Sequence, residues 1–221
     1  MQNKTYTRRH FKTFDALRFF AFFKVFLLHI PIFYFPLFNY FKKGGGIGVL
    51  FFFTLSGFLI TYILLSEKEV SGTISLKRFY LRRILRIWPL YFLILGIAFI
   101  TPYVIDWLHL THSDEGYQPN WLMSAAFLEN YQGMIMHNHP NVSPLGATWS
   151  LCVEEHFYIL WGIFLSLISI RRLPVLIVTC IITAFISRYV YAYFQLPKND
   201  ILTNFDYFAY GAIPAWLLVT K

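Results

Sequence analysis

Charge is scarce in this chain. Only 14% of its 221 residues are Asp, Glu, Lys or Arg, against about 25% in an average soluble domain. Cysteine is scarcer still. Cys152 and Cys180 are the only two, so there is no disulfide framework, and both read as small apolar fillers of apolar runs. Several chemistry-bearing patterns are missing as well. There is no GxSxG nucleophile elbow. The histidines at 109, 112, 137, 139 and 156 lack the HExxH spacing and a close third ligand, so no metal is expected. The glycine-rich "KKGGGIG", 42–48, lacks the GK[ST] ending of a phosphate loop and reads as a flexible entry to the apolar run behind it. No internal repeat recurs at a fixed period.

What is present is apolar and aromatic. The hydrophobic fraction is 57%, with 25 Phe, 15 Tyr and 6 Trp. That balance places the chain in the membrane class and the all-α fold class, a polytopic bundle of transmembrane helices. Crossing the hydrocarbon layer takes about 20 residues, and six segments meet or approach that length. They are expected at 14–37, 46–65, 84–105, 148–170, 173–194 and 205–220. The basic N-terminus followed by an apolar run has no convincing cleavage site, so it reads as a retained first span.

The net charge of +8 invites a nucleic-acid reading, but the basic residues are sorted mostly to one side, the other holding only Lys42, Lys43 and Lys198. The N-terminal tail carries Lys4, Arg8, Arg9 and Lys12. The link between the second and third spans carries Lys68, Lys77, Arg78, Arg82 and Arg83, and the link after the fourth carries Arg171 and Arg172. The segment 106–147 has neither Lys nor Arg. By the positive-inside bias the N-terminus is cytoplasmic and 106–147 is outside. The expected partner is therefore a lipid bilayer and not a nucleic acid. Within the outer segment, "WLMSAAFLEN", 121–130, has the spacing of a helix able to lie in the membrane interface. "MHNHPNVSPLG", 136–146, reads as loop.

Ionisable residues at bilayer depth are costly, about 2.5–3.5 kcal/mol each on insertion scales, and are site hypotheses by default. Arg18 and His29 stand eleven residues apart, close to three helical turns and so on one face. Arg18 also fits a snorkelling residue near Asp15, and His29 a packed residue beside Pro31. Lys24, slightly off that face, is long enough to snorkel. "RFYLRRILRIWPLY", 78–91, opens the third span with Arg82, Arg83 and Arg86. They fit either an anchor on anionic lipid or a clamp for a phosphate-bearing cytosolic ligand. Pro89 then kinks that helix or frees a carbonyl. "WSLCVEEHFYILW", 149–161, brings Glu154 and Glu155 into the fourth span. Tyr158 and Trp161 share the Glu154 stripe, while Glu155 points about 100° away. One carboxylate can face a cavity while the other faces a neighbour or the interface.

Four stretches together resemble the acyltransferase family 3 membrane proteins: "FDALRFFAFFKVFLLH" at 14–29, "FFFTLSGFLIT" at 51–61, "FYLRRILRIWPLY" at 79–91 and "GATWSLCVEEHFYILW" at 146–161. The resemblance covers 14 to about 162. It implies an O-acyltransferase of about ten spans. Such an enzyme moves an acyl group, acetyl above all, from cytosolic acyl-CoA to a hydroxyl of an extracytoplasmic glycan or glycolipid, in the bacterial plasma (inner) membrane. It also implies roles. His29 takes the place of the essential histidine, Arg18 of its partner arginine and Glu154 of the glutamate of the fourth-span block. Arg82, Arg83 and Arg86 take the place of the arginine cluster that holds acyl-CoA. Phe19, Lys24, His156 and Gly162 depart from the family pattern. On this reading, residues 1–221 form one C-terminally incomplete membrane domain. Competing readings are a transporter or flippase for an anionic glycan or lipid, an inactive truncated membrane protein, and a plain membrane interaction subunit. Cys152 is a subsidiary nucleophile candidate.

Overall fold

The computed structural model describes residues 11–29, 44–110, 115–141 and 145–221. The regular elements are helices: α1 (Lys12–His29), α2 (Gly45–Ser71), α3 (Leu76–Trp107), α4 (Trp121–Ala125), α5 (Glu129–Met136), α6 (Trp149–Leu167), α7 (Leu173–Tyr193) and α8 (Ile201–Thr220). Short 3-10 turns at Leu145–Ala147 and Ile170–Arg172 precede α6 and α7. Among the described residues four helices are long and apolar enough to cross a membrane: α2, α3, α6 and α7 with the turn before it. They coincide with the second to fifth expected spans. The first expected span is helical as far as His29, and its remainder, with Pro31, lies outside the described residues. Helix α3 runs unbroken through both Pro89 and Pro102.

The described residues fall into two compact units. The first comprises the described parts of Met1–Ile74, with Leu167–Ile182 and Phe205–Lys221. Its helices meet through aromatic stacking and very close backbone approach. Phe14 stacks on Phe58 at 4.5 Å, and Phe53 on Phe208 at 4.7 Å. Where α2 meets α8, both faces have lost their side chains. A Cβ on Gly57 would lie 2.1 Å from the Phe208 carbonyl oxygen, and one on Gly211 only 1.9 Å from that of Thr54. Small residues that let backbones touch are the usual device for joining helices in lipid, where apolar burial supplies little drive. This accounts physically for the glycine in "LSGFL". Around α1, Phe19, Phe20, Phe22, Phe23 and Phe26 are exposed, as suits lipid contact.

The second unit comprises Ser75–Ser166 and Thr183–Asn204. Its core joins Tyr91, Leu95 and Ala98 of α3 to Cys152 of α6, with Phe127 and Leu145 from the expected outer segment. The segment 121–130 is two helices where one was expected. Helix α4 stops because Phe127 takes a left-handed conformation, φ 59°. Phe127 N–H then donates to the Ser124 carbonyl, and Leu128 N–H to that of Met123. That is a Schellman ending, which usually employs glycine. A bulky residue is strained there. The offset is tertiary: the Phe127 ring stacks on Tyr91 at 4.2 Å and meets Trp88 and Phe92. Asn120 caps the start of α4, its Oδ1 accepting from Leu122 and Met123 N–H. The segment is thereby folded onto α3.

Helix contact through glycine makes a sharp expectation. Gly57→Ala forces a methyl group into the α8 backbone and should cost about 1–3 kcal/mol or more. Gly46→Ala, where nothing lies within 4 Å of the added Cβ, should be close to neutral. Thermal unfolding of both variants in detergent checks this, and equal behaviour would refute the contact.

Candidate active site

Arg18 and His29 lie on α1, in the first unit. Arg18 is half-buried, while His29 closes the helix with its ring exposed. The His29 Nδ1 lies 2.9 Å from the Val25 carbonyl oxygen. A carbonyl only accepts, so Nδ1 carries the hydrogen. In the neutral ring Nε2 then keeps its lone pair, which is the arrangement of a base.

The other candidates lie in the second unit. Arg82 and Arg86, one helical turn apart on α3, are exposed. Arg83 turns inward: its guanidinium lies 5.4 Å from the Tyr158 ring centroid and 5.8 Å from that of Phe79. Tyr158 in turn donates its hydroxyl to Glu154 Oε2 at 2.8 Å. The structure thus links Arg83 to Glu154 through one tyrosine, and leaves Arg82 and Arg86 as the outward-facing pair of the cluster. Of the two carboxylates, Glu155 is the buried one, 7% exposed, and Glu154 is half-buried. Glu155 Oε2 accepts from Trp88 Nε1 at 3.4 Å, and its Oε1 has no hydrogen-bond partner among the described residues. Cys152 is fully buried in the core cluster, which fits the filler reading. Gly162 also finds its reason: a Cβ there would meet the Tyr80 hydroxyl at 2.7 Å, and that hydroxyl donates to the Ile159 carbonyl.

Sequence reasoning missed several polar residues that organise this unit. Glu129 is 2% exposed. Its Oε1 accepts from the Tyr117 hydroxyl at 2.6 Å, and its Oε2 from the Ser124 hydroxyl. Burial, and then the bond to the Glu129 carboxylate, push the Tyr117 phenol above its ordinary range. Burial and the Asp200 charge do the same to Tyr131. Asp200, at the start of α8, accepts from the backbone N–H and the hydroxyl of Thr203 through Oδ1 and from Tyr191 through Oδ2. Arg188, on α7, donates from Nε to the Thr203 carbonyl at 2.8 Å. The one local signal was the Asp-x-x-Thr spacing of a helix cap at 200–203. The others depend on tertiary neighbours.

Residues 11–217 match the family described as the acyltransferase domain, family 3. The chain belongs to that family. The match reaches well past residue 162, where the sequence motifs end, so α7 and most of α8 are part of the same acyltransferase domain. Among curated proteins the chain is 33% identical over 171 residues to "Putative peptidoglycan O-acetyltransferase YrhL" of Bacillus subtilis. It is 32% identical over 168 residues to peptidoglycan O-acetyltransferase OatA of Listeria monocytogenes. These alignments take in 75% and 72% of this chain and 25% of each relative. The chain therefore spans about a quarter of the length of the curated relatives it matches. No solved structure matches it.

The Arg83–Tyr158–Glu154 link is testable on its own. Tyr158→Phe removes the bond to Glu154 and keeps the ring beneath Arg83, for an expected loss of about 1–2 kcal/mol. Tyr158→Ala removes both, for about 3–5 kcal/mol. Thermal unfolding in detergent separates the two, and an unchanged Tyr158→Phe variant would count against the link.

Proposed function

We propose that this acyltransferase domain transfers an acyl group, acetyl above all, from cytosolic acyl-CoA to a hydroxyl of an extracytoplasmic glycan, in the plasma (inner) membrane of a bacterium. Family membership sets the reaction class. The relatives named for peptidoglycan O-acetylation make a cell-wall glycan the first acceptor to try. The observation that carries the base assignment is the His29 ring, whose Nδ1–H is committed to Val25 and whose Nε2 is available to take a proton.

In this reading the N-terminus is cytoplasmic, α1 and α8 add two crossings to the four long apolar helices, and about ten are expected in the family. Arg82 and Arg86, exposed on the cytoplasmic half of α3, bind the donor's phosphates; a guanidinium offers them paired donors and a charge that is never lost. Arg83 stays with Tyr158 and holds the start of α3 in register with α6. His29 Nε2 removes the proton of the acceptor hydroxyl as its oxygen attacks the thioester carbonyl. The new C–O bond forms, the C–S bond breaks, and the departing CoA thiolate takes a proton. Glu154 stabilises the positive charge that builds during transfer. Arg18 holds the donor arm or balances a carboxylate. Direct attack is favoured over a covalent route because there is no serine elbow and Cys152 is fully buried.

The test uses vesicles carrying the full-length protein, with labelled acetyl-CoA on the cytoplasmic side and glycan outside. Label should appear on the glycan as an alkali-labile ester. His29→Ala should abolish it with insertion and abundance unchanged. Substituting both Arg82 and Arg86 by Ala should raise KM for acetyl-CoA by roughly tenfold or more, since each bond to a charged group is worth about 1.5–3 kcal/mol. Glycan movement without ester formation would support a transporter instead, and transfer surviving His29→Ala would overturn the base assignment.

A further inference from the structure

The second unit holds a cavity of about 210 Å³ that none of the catalytic candidates lines. Its walls come from the segment between α3 and α6, the first residue of α6 and the link between α7 and α8. The charge bias places these parts outside the membrane. We propose that this cavity is a subsite for one ring of a neutral glycan, and that it holds the acceptor chain. This rests on the orientation and reaction proposed above.

Three observations point to that ligand class. First, the described lining contains neither Lys nor Arg, so no fixed positive charge there favours the phosphates of the donor or a polyanion. Second, it contains an unsatisfied buried acceptor. Asn130 is 2% exposed. Its Nδ2 donates to the Asn199 carbonyl at 2.9 Å, which fixes the orientation of the amide because a carbonyl cannot donate. Asn130 Oδ1 is therefore the outstanding group, and it has no hydrogen-bond partner among the described residues. A buried acceptor left open in this way is costly unless a ligand hydroxyl or water fills it. Third, the remaining lining combines half-buried Trp149 with exposed His137 and His139 at the rim. An aromatic ring beside amide and imidazole groups matches a sugar, which offers an apolar face of C–H bonds and an edge of hydroxyls. The space admits one ring rather than a chain.

Hydrogen bonds also brace the wall. Glu129 lines the cavity with both carboxylate oxygens already engaged by Tyr117 and Ser124. It therefore shapes the wall and holds Tyr117, leaving Asn130 as the group to meet a ligand.

The experiment is binding of chitotetraose, a neutral N-acetylated glycan, to the full-length protein in nanodiscs, followed by saturation-transfer NMR. Tetragalacturonate serves as the acidic comparison. Wild type should bind chitotetraose saturably and tetragalacturonate at least tenfold more weakly. Asn130→Ala should weaken chitotetraose binding at least tenfold. Gly146→Phe provides a second variant, because Gly146 lines the cavity and a Cβ there meets nothing within 4 Å; it should abolish binding while the thermal midpoint stays near wild type. No saturable binding by wild type, or wild-type affinity in both variants, overturns the subsite. Thiol release from acetyl-CoA, measured on the same samples, reports the reaction separately. A protein that releases CoA but binds no glycan refutes the subsite alone, and one that binds glycan without releasing CoA supports the subsite and refutes the reaction.

Discussion

An ionised side chain at bilayer depth needs a partner other than lipid, and in the second unit that requirement governs how α3 meets α6. Burying a charge unpaired is expensive, and removing one partner of a buried pair strands the other. Arg83 therefore lies over the aromatic faces of Phe79 and Tyr158. Tyr158 gives its hydroxyl to Glu154, and Trp88 gives its indole N–H to Glu155. Each aromatic residue offers an apolar body to its neighbours and a polar edge to a charge. The heavy load of Tyr and Trp, which from composition alone says only "membrane", thus has a specific use in this unit.

The same economy folds the expected outer segment. With no basic residue to pair Glu129, two hydroxyls take its oxygens. With no glycine at the end of α4, a phenylalanine accepts a left-handed backbone because its ring is caught by Tyr91. The result is an ordered platform built on α3, with a cavity lined by Asn130, whose buried amide oxygen has no hydrogen-bond partner among the described residues. In the first unit the solution is different. There α2 and α8 remove side chains altogether at Gly57 and Gly211 and bring backbone against backbone.

Much of this was legible in the sequence, for physical reasons that can be named. Runs of about 20 apolar residues locate helices because lipid satisfies no backbone hydrogen bond, and the second to fifth expected spans lie within a few residues of the helices found, apart from the longer ends of α2 and α3. The i, i+4 spacing placed Tyr158 beside Glu154, and the structure joins them. Other features were not legible. The break at Phe127 was hidden because the residue is wrong for its backbone and only a tertiary stack compensates. The inward turn of Arg83 was hidden because a run of three arginines looks like one patch until the facing helix is known. Which of Glu154 and Glu155 is buried depends on Trp88, 67 positions away in sequence. The pocket at Asn130 was hidden for the same reason, since its partner Asn199 lies beyond two intervening helices.

In the proposed reaction, donor and acceptor meet the chain from opposite sides of the membrane. The most direct measurement is the accessibility of single cysteines to a membrane-impermeant thiol reagent in intact cells, with the native Cys152 and Cys180, both buried, replaced. Asn138→Cys, on the exposed rim of the cavity, should react in intact cells. Arg82→Cys, on the exposed face at the start of α3, should react only after the membrane is opened. Labelling of both positions from the same side would contradict the account.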